Sequence, residues 1–124
     1  MTLPAAMPFA VTRDPAQADS FVAPPEKLLA GSGEQTVWNA FSDPSGQFHV
    51  GHWQGACGRL KVRYTEQEFC VLLSGKIRLE QDGTGDSVTF SAGDAFVIPA
   101  GFTGVWETLD PCLKLYAIFE AQTG

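Results

Sequence analysis

The sequence predicts an all-β protein, a sandwich or barrel of short antiparallel strands. Three observations carry that prediction. About nine short runs rich in β-branched and aromatic residues recur, with turn signals roughly every 8–12 residues. No stretch keeps the spacing of an amphipathic helix. Two apolar runs are anchored by glycine: Glu66-Gln67-Glu68-Phe69-Cys70-Val71-Leu72-Leu73-Ser74-Gly75, and Gly93-Asp94-Ala95-Phe96-Val97-Ile98-Pro99-Ala100-Gly101-Phe102. Each reads as a buried strand ending in a forced turn.

A chain of 124 residues fits one domain that buries a core without staples. Apolar content of 44% and charged content of 18% belong to a globular protein. The net charge is −6 and the basic residues are scattered singly, so nucleic acid is not an expected partner. Cys57, Cys70 and Cys112 are odd in number and far apart, which argues against a disulfide framework and for a reducing cytoplasm. Neither a secretion signal nor a membrane span is expected.

Residues 1–33 hold five of the eight prolines and sustain no period. They read as an extended N-terminal arm that lies across the domain or a neighbouring subunit, anchored by Phe9, Phe21, Val22 and Leu28-Leu29. Residues 34–124 form the strand-rich domain. Thr36–Phe41 is β-branched and aromatic and is closed by the turn Asp43-Pro44-Ser45-Gly46. Phe48–Trp53 follows. Leu60–Tyr64 alternates, with Leu60, Val62 and Tyr64 on the face that seeks burial. Phe69–Leu73 is continuously apolar, as a doubly buried strand is. Lys76–Glu80 alternates again, and Asp82-Gly83-Thr84-Gly85-Asp86 makes a hairpin loop. Ser87–Phe90, Ala95–Ile98, Thr103–Leu109 and Leu113–Phe119 complete the set, the last two separated by Asp110-Pro111.

The spacing of Glu68 and Gly75, and of Gly93, Pro99 and Gly101, resembles the two motifs of the cupin superfamily. Tyr64–Cys70, Pro99–Glu107 and Lys114–Ile118 are similar to one subfamily of it, which includes domains like ureidoglycine aminohydrolase and the cupin of ethanolamine-utilisation clusters. The resemblance runs from about Glu34 to Phe119. It implies a single small jelly-roll barrel. In metal-dependent cupins three histidines and a glutamate hold a divalent metal. Counting back from Glu68 places either Lys61 and Arg63 or Val62 and Tyr64 at the first two histidine positions; the alternation of the strand favours Val62 and Tyr64. The third falls on Gly104. His49 and His52 lie on opposite faces of a strand and make poor joint ligands. No metal and no other cofactor is expected.

The barrel interior remains a candidate site for a small-molecule ligand. Glu68 points inward if it keeps the motif's geometry, as a general acid or base, and Tyr64 is a phenol donor to the same cavity. Phe102 and Trp106 share a strand face, with Gly104 opening space between them and Trp106 offering a stacking surface. Lys114 and Tyr116 share a face of the last strand, where Lys114 neutralises a substrate carboxylate or pairs with Glu68. Trp38 and Trp53 read as core or interface. Two functions stay open: a metal-free protein that binds a small polar metabolite and acts by proton transfer, for which the resemblance implies small nitrogen-containing compounds; or a non-catalytic sensor or assembly module. A homodimer is expected in either case.

Overall fold

The computed structural model describes residues 6–122. The described chain contains a single turn of 3-10 helix, Pro15–Gln17, and nine strands. The strands are β1 (Ala18–Val22), β2 (Leu28–Gly31), β3 (Glu34–Ser42), β4 (Phe48–Gly55), β5 (Gly58–Arg63), β6 (Gln67–Gln81), β7 (Ser87–Ser91), β8 (Ala95–Ile98) and β9 (Thr103–Phe119). Every pairing is antiparallel.

The two long strands are the frame. The sequence suggests a break at Gly75 and another at Asp110-Pro111, but β6 and β9 run through both points as bent strands paired with each other. The bends face one another: register slips on β6 between Leu72 and Ile77, opposite residues 108–114 of β9. Gly75 has φ 88°, and a Cβ there would lie 2.4 Å from the Pro111 carbonyl oxygen. Glycine is therefore required both by conformation and by the approach of the partner backbone. Proline at 111 fits because the ladder is already interrupted there.

The bends fold the sheet into two layers. In one, β1, β3, β4, the second half of β9, the first half of β6 and β8 lie side by side. In the other, the order is β2, β5, the first half of β9, the second half of β6 and β7. This is the curled antiparallel half-barrel of a jelly roll. Between the layers pack Cys70, Leu72, Ile77, Leu79, Phe96, Ile98, Trp106 and Cys112. Burying each of the larger aliphatics contributes about 1.5–3 kcal/mol. Phe90 stacks on Phe96 with ring centroids 4.1 Å apart and closes one end.

The other end stays open, and residues from the arm border it. β1 extends the first layer at β3 and β2 extends the second at β5, so residues 23–27 cross from one layer's edge to the other's. Hydrogen bonds from Ala23 N to Gly33 O (2.9 Å) and from Lys61 N to Lys27 O (2.8 Å) fix the crossing. The segment thus lies across its own domain. Further upstream, Phe9 packs on Phe41 and the Arg13 guanidinium sits 5.9 Å from the centre of the Trp38 ring.

Gly75→Ala is expected to cost roughly 2–4 kcal/mol in urea unfolding, from the positive φ and the backbone clash together. Gly93→Ala, at φ 94° with open space around the new methyl, is expected to cost only about 1–2 kcal/mol. Equal losses at the two positions would contradict the crossing of the two bends.

Candidate active site

Two strands place the polar centre. The inward face of the first half of β6 carries Glu68, Cys70 and Leu72, and that of β9 carries Cys112, Lys114 and Tyr116, all buried. Lys114 stands opposite Leu72 on one side and Trp53 on the other. From there its Nζ donates to Glu68 Oε2 at 2.5 Å, with both side chains under a tenth exposed. The Cys70 thiol donates to the same oxygen at 3.0 Å.

Two indoles hold the ammonium from the sides. Nζ lies 4.5 Å from the centre of the Trp106 ring and 5.1 Å from that of Trp53. The rings meet edge to face at 5.3 Å and 77°, so Nζ sits in their corner. Each ring is locked by its own N–H. Trp106 Nε1 donates to Thr108 Oγ1 at 3.0 Å, and Trp53 Nε1 donates to Gln35 Oε1 at 3.0 Å. Their faces are thereby left for the cation.

Burial alone pushes an ammonium's pKa down, but the Glu68 carboxylate beside Lys114 offsets this and holds it above the ordinary value. Burial pushes the Cys70 thiol up to about 12 and the Tyr64 phenol higher than usual. Both therefore keep their protons at neutral pH.

Above this centre opens a cavity of about 330 Å3. Tyr64, Glu68, Trp53, Trp106 and Lys114 line it, with Leu60 and Val62 of β5, Phe21 of β1, and Pro24 and Lys27 of the crossing segment. Tyr64 is strapped in by the second glycine-anchored stretch: its N–H donates to Phe102 O at 2.9 Å, and Gly101 N donates to its carbonyl at 2.7 Å. Gly101 has φ 95°, which the turn needs. The alternation on β5 appears as burial, with Val62 half-buried and Lys61 and Arg63 exposed.

Of the residues singled out from sequence, Glu68, Tyr64, Trp106 and Lys114 come together here. Phe102 and Tyr116 do not line this cavity. Phe102 packs against Tyr64 at 6.3 Å and borders a shallow depression beside Leu79 and Val88. Tyr116 donates to Asn39 Oδ1 at 2.7 Å, and burial raises its pKa to about 12. Gly104 opens no space: a Cβ there would lie 1.9 Å from the Glu80 carbonyl oxygen, so backbone fills the place where the motif's third histidine would stand. Trp53, read as core or interface, is a wall of the cavity. Its place directly across the ladder from Lys114 is the signal that would have found it.

A divalent metal does not fit these residues. Val62, Tyr64 and Gly104 offer no imidazole, and Glu68 already holds a lysine. Among the described residues no group of three or more His, Cys, Asp or Glu side chains gathers in metal-binding range. His49 is engaged by Ser42 (2.7 Å), while His52 is buried on the other face of β4.

Comparison with known proteins agrees with this architecture. The family model described as the EutQ-like cupin domain matches residues 42–116. No curated protein matches the chain. Among solved structures, a putative ethanolamine utilization protein Q from Salmonella typhimurium LT2 is similar at 19% identity and a TM-score of 0.62, over 71% of each chain. The EutQ protein of Clostridium difficile is similar at 18% identity and a TM-score of 0.63, over 71% of this chain and 64% of that one. A DUF861-family protein of unknown function from Pseudomonas syringae pv. tomato DC3000 is similar at 21% identity and a TM-score of 0.75. It covers 87% of this chain, which spans only 46% of it. At such identities the likeness is one of fold.

Lys114→Met, which leaves Glu68 buried and unpaired, is expected to lose about 3–5 kcal/mol in chemical denaturation. The double variant E68Q/K114M, which removes both charges, is expected to recover most of that loss. Additive losses would mean that the two side chains do not interact.

Proposed function

The chain belongs to the family of EutQ-like cupin domains, and within that family we propose that its cavity is a metal-independent site for a small polar metabolite on which proton transfer takes place. One observation carries the reading. A buried carboxylate and a half-buried phenol line the same cavity, and each keeps one hydrogen-bonding position without a protein partner among the described residues. Glu68 Oε2 is taken by Lys114 and Cys70, which leaves Oε1 for a ligand. Among the described residues the Tyr64 hydroxyl has no side-chain hydrogen-bond partner.

The roles follow from the chemistry. Glu68 Oε1 accepts a proton from a ligand N–H or O–H. Tyr64 stays protonated and donates a hydrogen bond to a ligand oxygen on which charge builds. Lys114 remains an ammonium and keeps Glu68 in place. Trp53 and Trp106 shield the ammonium from water and hold it in their corner. Small ureido or amino compounds are the substrate class that the family likeness suggests, since they bring both an N–H and a carbonyl oxygen. The three free thiols support a cytoplasmic location. Among the described residues no helix is long and apolar enough to cross a membrane.

A second reading, association into a homodimer, has its own observation. The outer surface of the first layer carries Phe69, Leu73, Val97 and Phe119 at 46%, 45%, 62% and 48% exposure. The outer surface of the second layer instead carries the charged ladder of Arg59, Glu107, Arg78 and Glu80. The apolar layer is the face that suits a second copy.

A thermal-shift screen of small metabolites tests the first reading. At least one ureido or amino compound is expected to raise the melting temperature of the wild type, and Tyr64→Phe is expected to weaken that response about tenfold in apparent affinity. A panel that shifts neither protein sinks the reading. For the second, light scattering should show a dimer that Val97→Asp converts to monomer; a monomeric wild type would overturn it.

A further inference from the structure

We propose that the ligand of this cavity carries a carboxylate, and that Lys114 is the group that receives it. The inference rests on the pocket reading above and narrows its substrate class. An ammonium has three N–H donors, and among the described residues Lys114 meets one oxygen acceptor, Glu68 Oε2. Ring faces, not oxygens, meet it at Trp53 and Trp106. Beside that oxygen the cation meets the soft acceptor of the Cys70 sulfur and the two ring faces, and it stands at the base of the cavity with a single oxygen acceptor among the described residues.

The rest of the lining points the same way. Two of its acceptor oxygens are taken, Gln35 Oε1 by the Trp53 indole and Glu68 Oε2 by two donors. Its donors are not. Among the described residues the Tyr64 hydroxyl makes no hydrogen bond, and Lys27 of the crossing segment borders the cavity. A carboxylate suits it better than a point anion, because its two oxygens meet two separate donors. One of its oxygens accepts from Lys114 and the other from Tyr64. Glu68 Oε1 is then left to accept from a donor elsewhere on the same ligand.

Calorimetric titration with benzoate and acetate, each beside its neutral amide, tests this directly. Wild type is expected to bind benzoate at least tenfold more tightly than benzamide, the margin of one charge-assisted hydrogen bond. In E68Q/K114M, which keeps the site uncharged and the fold intact, that preference should vanish. In Glu68→Gln alone, where the ammonium lacks its carboxylate, benzoate should bind more tightly than to wild type. Equal binding of acid and amide by wild type overturns the carboxylate inference and leaves the pocket reading standing. A preference that persists in E68Q/K114M removes Lys114 as the anchor. Binding of none of the four probes, together with an unresponsive metabolite screen, overturns both readings.

Discussion

A lysine ammonium and a glutamate carboxylate lie in contact inside the barrel, and much of the surrounding structure is what makes that tolerable. Taking either ion out of water costs several kcal/mol, which Coulomb attraction repays only with good geometry and further partners. The partners are here. Glu68 receives a thiol hydrogen bond from Cys70, and Lys114 lies in the corner of two indoles whose own N–H groups are tied to Thr108 and Gln35. Each cation–π contact of a desolvated ammonium is worth about 1–2 kcal/mol. Loosening either indole's tether would loosen the ion.

That arrangement needs two strands that bend in the same place. β6 brings Glu68 and β9 brings Lys114, and their side chains meet inside the curl because both strands turn at Gly75 and Pro111 rather than ending there. The arm completes the site from outside: β1 brings Phe21 to the cavity, and the crossing segment at 23–27 brings Pro24 and Lys27. The ion pair, the curvature and the arm are thus parts of one construction. It gives the cavity a fixed, protein-borne cation.

The strand pattern and the family likeness were legible because they rest on local rules: period-two alternation, turn residues, and glycines at positions of positive φ. The inward facing of Val62 rather than Lys61 followed from alternation alone. What could not be read was continuity through a break. Gly75 and Asp110-Pro111 carry stop signals, and only their mutual contact turns two stops into two bends. The strands of the arm were hidden for a similar reason. Ala18–Val22 and Leu28–Gly31 are short, mostly exposed edge strands that sustain no pattern of their own and form by pairing with β3 and β5. At the site, Glu68, Tyr64, Trp106 and Lys114 were visible as inward-facing residues. Trp53 was not, because its role depends on cross-strand register. Gly104 misled, because an absent side chain reads as space when a neighbouring carbonyl fills it.

The central claim is that Lys114 is an ammonium inside the folded protein at neutral pH, held there by its contact with Glu68. Nitrogen-15 NMR of the lysine side chains tests it most directly. The account predicts one ammonium resonance whose protons exchange slowly with water, which is absent from E68Q/K114M and retains its charged-form shift well above neutral pH. A neutral amine at that position, with its proton on Glu68, would contradict it.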